Sequence, residues 1–435
     1  MSTKKSVKKQ SEMKTEAEIN SDEIPFKIPD NWKWVRLSSL ADIYTGNSIN
    51  EEEKKKKYTG LSSGYYYIAT KDISFNNEIN YDNGVRIPNS NTKFRIAPKN
   101  STLLCIEGGS AGRKIAITNQ DVCFVNKLCC FSPYGIDHIF LYYYLQTPTF
   151  FFIFKKNING IIGGVGVNKL RDTILPLPPL EEQKLIVEKI ESEFQKIDNA
   201  LNKLNIIKEQ IKQYKQSVLK YAFDENNSFA KVSNYEPYEW ENTIISNISE
   251  SIQYGYTASA SKVKNGVKFL RITDIQDGKV NWYNVPYCNI SNDNKNKYLL
   301  KDGDLVFART GATVGKSYLI NNLEEESIFA SYLIRIRFNN MANSNYMKYY
   351  FQSNYYWEQI NNNKVGIGQP NVNGSKLSKV EIKLPNIELQ KTIADNIQNI
   401  FDKVDNIENN INENIDKLNV LKQAVLKKVF EGKLI

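Results

Sequence analysis

Pro178-Pro-Leu-Glu-Glu-Gln-Lys-Leu-Ile-Val-Glu-Lys-Ile190 opens a segment that returns 207 positions later as Pro385-Asn-Ile-Glu-Leu-Gln-Lys-Thr-Ile-Ala-Asp-Asn-Ile397. Aligned without a gap, residues 178–223 and 385–430 share 18 identities in 46 pairs. Glu181 faces Glu388, Gln183 faces Gln390, Phe194 faces Phe401, Asp198 faces Asp405 and Phe223 faces Phe430. Two unrelated segments of this composition share only a handful, so the chain reads as two tandem copies of one unit. In each copy one column is apolar at every seventh position: Ile190, Ile197, Leu204, Ile211 and Val218, then Ile397, Val404, Ile411, Leu418 and Val425. That period, held for four to five heptads, predicts two long helices whose seams meet in an antiparallel coiled coil. The competing reading is an amphipathic helix packed on its own domain, but two seams of equal length favour mutual pairing. Prolines at 176, 178, 179 and 385 mark the helix starts, where a missing N–H costs nothing.

Outward from the helices, residues 22–177 break into short strand-like runs separated by Gly, Asn and Pro. Examples are Tyr65-Tyr-Tyr-Ile-Ala69, Thr102-Leu-Leu-Cys-Ile106 and Lys114-Ile-Ala-Ile117, with a helix expected over 137–147. Residues 228–384 repeat the scheme with insertions: Trp34 matches Trp240, Ile68–Ile73 matches Leu270–Ile275, and Leu103–Arg113 matches Leu305–Lys316. The offset wanders between 202 and 209 in these regions while the helices keep 207. The expected fold class is therefore α+β. Two globular domains, 22–177 and 228–384, are separated and joined by long helices at 178–227 and 385–435, with pseudo-two-fold symmetry. Residues 1–21 are polar and Lys-rich and are expected to be a disordered basic tail.

Composition sets the class. Apolar residues are 41% and charged residues 24% of 435, with no run of 18 apolar residues for a membrane span and no apolar stretch after the Lys-rich start for a secretory signal. Cys105, Cys123, Cys129, Cys130 and Cys288 lack metal-ligand spacing and make a poor disulfide framework, which points to a cytoplasmic, reduced protein. The net charge of +9 is unevenly spread: residues 22–177 carry 19 basic and 14 acidic side chains, and residues 228–384 carry 18 and 14. The excess sits in the globular domains and favours a polyanionic partner there.

Catalytic motifs are weighed and set aside. Gly311-Ala-Thr-Val-Gly-Lys-Ser317 resembles a phosphate loop, but the motif needs a glycine at position 310, separated by four residues from Gly315-Lys-Ser, and that position is Thr310. Its first-copy match, Glu107-Gly-Gly-Ser-Ala-Gly-Arg113, keeps the glycines and the basic residue, so the loop belongs to both domains. Its amides with Arg309, Lys316 or Arg113 suit a DNA phosphate; a tight turn needing positive φ explains it equally well. Pro29-Asp30 with Glu53-Lys-Lys55 could suggest a nuclease, but Glu51–Lys57 reads better as an exposed charged loop. His138 is the sole histidine, which excludes multi-histidine metal sites. Neither an amino-methylating Asn-Pro-Pro-Tyr nor an Asp-Pro-Pro-Tyr run occurs. Amide and aromatic side chains are plentiful instead, and Asn or Gln pairs with adenine as Arg or Lys does with guanine. The candidate DNA contacts are Lys71, Ser110, Arg113, Lys114, Tyr254, Tyr256, Thr273, Arg309, Thr310, Lys316, Gln369 and Asn371. No catalytic or metal residue is assigned.

Three motifs carry a family resemblance: Ile28-Pro-Asp-Asn-Trp-Lys-Trp-Val-Arg-Leu37, Arg309-Thr-Gly-Ala-Thr-Val-Gly-Lys316, and Leu175-Pro-Leu-Pro-Pro-Leu-Glu-Glu-Gln183 ahead of a heptad helix. Together with the duplication they resemble the specificity subunit of type I restriction–modification systems, over nearly the whole chain after residue 21. The resemblance implies two target-recognition domains, each reading half of a split, asymmetric duplex DNA site. The heptad residues would form the spacer and the dock for methyltransferase subunits, two of them, and for restriction–translocase subunits. It implies a non-catalytic chain without its own cofactor, with S-adenosylmethionine, ATP and magnesium on the partner subunits. The departures are Glu107-Gly-Gly-Ser in the first loop and Leu384-Pro-Asn-Ile-Glu-Leu-Gln390 at the second helix entry. The rival expectation is a coiled-coil adaptor binding protein or RNA.

Overall fold

In the computed structural model the described residues are 19–159, 163–224, 240–276, 278–311, 314–362 and 372–433. The two heptad segments are single unbroken helices, Leu180–Ala222 and Ile387–Phe430. The chain forms two compact units, and the division falls inside these helices. Unit 1 is Met1–Lys203 with Asn414–Ile435, and unit 2 is Leu204–Glu413. Each unit thus owns the first part of one long helix and the last part of the other. Among the described residues no helix is long and apolar enough to cross a membrane.

Both units are mixed α+β with one topology. Unit 1 has an antiparallel sheet in the order Ala41–Thr45, Leu128–Pro133, Thr102–Cys105, Ile115–Ile117; unit 2 has Ser249–Tyr254, Leu333–Phe338, Leu305–Ala308, Ser317–Leu319 in the same order. A second sheet in each has a parallel centre, Tyr65–Ile68 with Val122–Phe124 and Val267–Leu270 with Ser327–Phe329. Central strands read as continuous apolar runs because both faces are covered: all four residues of Thr102–Cys105 and of Leu305–Ala308 are buried. Each globule is closed by pairing its first strand with the one that leads into its long helix. Lys33–Arg36 pairs with Ile174–Leu177, and Glu241–Ile244 with Glu381–Leu384.

The invariant glutamine of the helix-entry motif explains how helix and globule are locked. Buried Gln183 donates to the Pro178 carbonyl (2.9 Å) and accepts the Asp137 N–H (2.9 Å); buried Gln390 donates to the Pro385 and Met341 carbonyls (2.8 and 2.9 Å) and accepts the Asn343 N–H (2.8 Å). Asp137 and Asn343 are themselves the N-caps of His138–Tyr144 and Ser344–Tyr350. One amide therefore joins two helix starts and satisfies backbone groups of both.

Within each unit the long helices pack side by side. In unit 2 Lys208 bonds Asn412 (2.8 Å) and Lys215 pairs with Asp405 (2.6 Å) and Glu408 (3.1 Å), so residue numbers rise on one helix as they fall on the other. In unit 1 Lys422 pairs with Asp198 (2.5 Å). These are one repeat-equivalent ion pair with the copies exchanged, since Lys215 aligns with Lys422 and Asp198 with Asp405. Phenylalanines repeat the exchange: Phe223 packs on Tyr346 and Tyr350 in unit 2, and Phe430 on Phe140 and Tyr144 in unit 1. Of the ten heptad residues eight are buried; Leu204 and Leu418 are half-buried.

Three local expectations change. Glu51–Lys57 is not a loop: Glu51–Glu53 is helical, capped by the Asn50 side chain, and continues as a wider turn through Lys54–Tyr58. Alternating i,i+3 and i,i+4 pairs, Lys54 with Glu51 and Lys57 with Glu53, support it. The helix expected over 137–147 is His138–Tyr144. It is followed by a second, Pro148–Lys156, whose clustered aromatics mask a helical period. The tail is described only from residue 19, where a short turn forms at Ser21–Glu23.

Candidate nucleic-acid interface

The described parts of the glycine loop share their closing hydrogen bonds and positive-φ glycines in both units. In unit 1 the Gly112 N–H donates to Cys105 O (2.8 Å) and Ala111 N–H to Gly108 O (2.9 Å). In unit 2 Gly315 N–H donates to Ala308 O (2.9 Å) and Val314 N–H to Gly311 O (3.2 Å). Gly108 and Gly112 have φ of +82° and +72°; Gly311 and Gly315 have +83° and +84°. A side chain at these positions would be strained, and a Cβ at Gly112 would also strike Phe154 and Phe151, as one at Gly315 would meet Trp357. The turn requirement is thus real, and it leaves room for binding. Among the described residues, the Gly109 and Ser110 N–H groups have no partner, an arrangement suited to an anionic oxygen.

Around the unit 1 loop the fold gathers three of the candidate cations. Lys114 reaches across to the Thr70 carbonyl (3.0 Å), next to exposed Lys71, and Arg113 folds back onto the Gly109 carbonyl. The Arg113 guanidinium and the Lys114 ammonium lie 5.5 and 5.1 Å from the Phe75 ring centre. Ser110 sits on the same loop. Phe75 itself escaped the sequence reading; the signal that would have found it is a lone Phe between polar turn residues, Ser74 and Asn76-Asn77.

In unit 2 the fold joins Arg309 and Tyr254, far apart in sequence, with the guanidinium 4.9 Å from the ring centre. Tyr254 Oη accepts the Gly374 N–H (2.9 Å), fixing the ring. Arg309 Nε is buried with no partner among the described residues. Thr310 and exposed Lys316 lie on the loop itself. Tyr256 is placed differently: its half-buried ring packs on Tyr298 at 5.3 Å and its N–H donates to Phe329 O. Thr273 is exposed on a short turn and makes no hydrogen bond to the glycine loop among the described residues. Gln369 and Asn371 lie outside the described residues, next to Val372, whose N–H donates to Arg309 O (3.2 Å).

The cysteines are packing groups. All five are buried, and burial pushes the Cys123 thiol up to about 12 and Cys130 up to about 11, so both stay protonated at neutral pH. Glu51 is the converse: its hydrogen bond from Lys54 holds the carboxyl below its ordinary range.

Duplicated α+β units, each sharing two long antiparallel helices and each bearing a cation-rich glycine loop, define a two-headed scaffold of the kind built for binding. Comparison gives the family: the type I restriction modification DNA specificity domain matches twice, over residues 29–213 and 237–417, and the chain belongs to that family. The specificity subunit of the EcoKI type I restriction enzyme of Escherichia coli strain K12 is 23% identical over 426 residues, 94% of this chain and 90% of that protein. The MjaVIII specificity subunit of Methanocaldococcus jannaschii is 26% identical, covering 94% of each. Among solved structures, a chain from work on complex assembly and conformational transition of the type I R-M system has a TM-score of 0.74 at 17% identity, covering 94% of this chain and all of that one. The HsdS subunit from Thermoanaerobacter tengcongensis scores 0.52 at 19% identity, covering 94% of this chain and 99% of its own. These structures share the fold.

Proposed function

We propose that this chain is the DNA-reading specificity subunit of a type I restriction–modification complex, each unit recognising one part of a bipartite and asymmetric duplex target. The observation that carries the reading is the glycine loop: the same closing bonds and positive-φ glycines in both units, with different side chains around them. Cations beside such a turn suit phosphates, which every sequence presents, while unlike neighbours suit unlike bases. In this reading Arg113, Lys114, Lys71 and Lys316 meet the backbone of the duplex, and Arg309, held on Tyr254, faces a base edge or a phosphate. The chain positions DNA and performs no bond chemistry itself. Methylation with S-adenosylmethionine, and cleavage driven by ATP with magnesium, take place on methyltransferase and restriction subunits docked to it. An open groove in unit 2 between the helices, lined by Ile207, Tyr214, Ile400 and Ile407, supports partner docking because three of these side chains are left substantially exposed. The working compartment is the cytoplasm, where the DNA is.

The test is selection of duplexes from a random pool by the chain together with its methyltransferase partner, followed by mapping of methylated bases. Two unlike specified segments separated by unspecified base pairs are expected. Retention should also fall steeply between about 50 and 200 mM salt. A palindromic or uninterrupted site would overturn the asymmetric two-headed reading. Preference for RNA or protein over duplex DNA would favour an adaptor instead.

A further inference from the structure

The hairpin that carries Phe75 is rigid everywhere except at the side chains it presents. It follows a 3₁₀ turn, Thr70–Asp72, whose Asp72 carboxylate accepts the Ala69 N–H (2.8 Å) and the Asn83 amide (2.9 Å). Ile73 and Ile79 bridge its base. At the tip Ser74 N–H donates to Glu78 O (2.9 Å), and Ser74 Oγ accepts the N–H groups of Asn76 (3.1 Å) and Glu78 (3.2 Å). Asn77 takes φ +64° and its amide donates to Gln146 (3.0 Å), tying the tip to the end of the neighbouring helix. What remains projecting is Phe75, 61% exposed, and the exposed Asn76 side chain, which has no hydrogen bond among the described residues. Two cations, Arg113 and Lys114, lie beside the Phe75 ring, exposed Lys71 precedes the hairpin, and Glu78 is the acid on the tip.

A braced loop that exposes one apolar ring, with two cations beside it, and one free amide matches the chemistry of the DNA major groove. There a phenyl ring packs on the 5-methyl of thymine, and asparagine pairs with the N6 and N7 of adenine. Flanking cations meet the phosphates on either side. We propose that Phe75 and Asn76 are specificity-determining residues that read thymine and adenine, respectively, in the part of the target held by unit 1. The inference rests on the DNA-reading function proposed above. In unit 2 the strands Ile275-Gln276 and Lys279-Val280 pair, and the sequence between them carries no aromatic residue, so the contact belongs to one half of the target only.

The experiment uses the full chain with its methyltransferase partner and the duplex it selects from a random pool, with each thymine replaced in turn by deoxyuridine. One replacement, in one half of the site, should weaken binding about 4-fold, the effect of one lost methyl contact. Phe75→Ala should bind the thymine duplex about as weakly as the wild type binds its deoxyuridine form and should no longer distinguish the two; Phe75→Leu should keep part of the distinction. Asn76→Ala should lose about 10-fold discrimination at an A·T pair next to the sensitive thymine. A merely structural role for Phe75 would lower affinity for both duplexes equally, and that result overturns the proposal. So does a site at which no thymine is sensitive. Absence of any sequence preference in the pool would bring down the functional reading itself, and this inference with it.

Discussion

The loops at 105–114 and 308–316 share closing hydrogen bonds and positive-φ glycines, but their charges are placed differently. In unit 1 the residue entering the loop is buried Ile106, followed by Glu107, which pairs with Lys127 (3.3 Å), and the cations come at the exit as Arg113 and Lys114. In unit 2 the entry itself is cationic, Arg309 on Tyr254, with neutral Thr310 in place of the glutamate. The same contrast extends beneath the loops. On paired strands unit 1 has Ser101 opposite Ser132, where unit 2 has Asp304 opposite Arg337, joined by two bonds of 2.7 Å. Cys130 is likewise replaced by buried Arg335, which donates to Leu299 O and Gln253. Backbone geometry has been kept while polar chemistry has been exchanged: the Arg337 charge is met by a carboxylate and the Arg335 charge by neutral oxygen acceptors.

The buried pair offers the largest test of that contrast. Asp304→Ala leaves half-buried Arg337 without its carboxylate and should cost about 3 kcal/mol by urea unfolding, whereas Ser101→Ala, which removes a buried hydroxyl with no partner among the described residues, should cost about 0 kcal/mol. Asp304→Ser combined with Arg337→Ser, the unit 1 arrangement, should cost clearly less than Asp304→Ala. Equal losses from Asp304→Ala and Ser101→Ala would show the two cores to be energetically alike.

Next come the helix clamps, where the units should agree. Gln183→Ala and Gln390→Ala each strand a prolyl carbonyl and an N-cap N–H, and each should cost about 1–3 kcal/mol. A loss confined to one of them would mean that the repeated motif locks only one globule.

The loops should then separate in DNA binding. Arg113→Ala should weaken all duplexes alike and lower the salt slope by about 1. Arg309→Ala should cost about 10-fold on the selected duplex and relax base choice within one half only. Identical sequence profiles for the two variants would place both arginines on phosphates.

The smallest effect concerns the exchanged ion pairs. Burial alone would lower the Lys215 pKa, but hydrogen bonds from its ammonium to Asp405 and Glu408 outweigh that and raise it above 10.5. The stabilisation is therefore complete below pH 10.5 and fades as pH climbs through the raised value. Lys215→Met should cost about 0.5–1 kcal/mol at pH 8, and the gap to the wild type should narrow in alkaline unfolding titrations.

Much of this molecule was legible in its residues because the repeat is written in local periodicity: heptads such as Ile190 to Val218 announce a helix without help from tertiary structure. The glycine loop was legible for the same reason, since Gly108, Gly112, Gly311 and Gly315 occupy positions only glycine adopts easily. The Arg309–Tyr254 contact was half legible, both residues being candidates but their meeting depending on strand order. Phe75 was missed because exposure is a property of the fold, and a phenylalanine in sequence reads as core. Gln183 and Gln390 stood out as an identical pair, yet their task depends on two N-caps about 46 residues earlier, which no periodicity reveals. For Tyr256 and Thr273 the residue type suggested contact with DNA, and the fold adds that one packs on Tyr298 while the other is exposed on a short turn.

Val425, Leu426, Val429 and Phe430 lie in the core of unit 1 beside Trp32, Val35 and Leu37. A ribosome makes Val425 to Phe430 long after Trp32, so the core of the first lobe lacks a wall until they emerge, whereas the second lobe has received all of its parts by Glu413. A chain stopped just before Val425 should accordingly damage the lobe that was begun first.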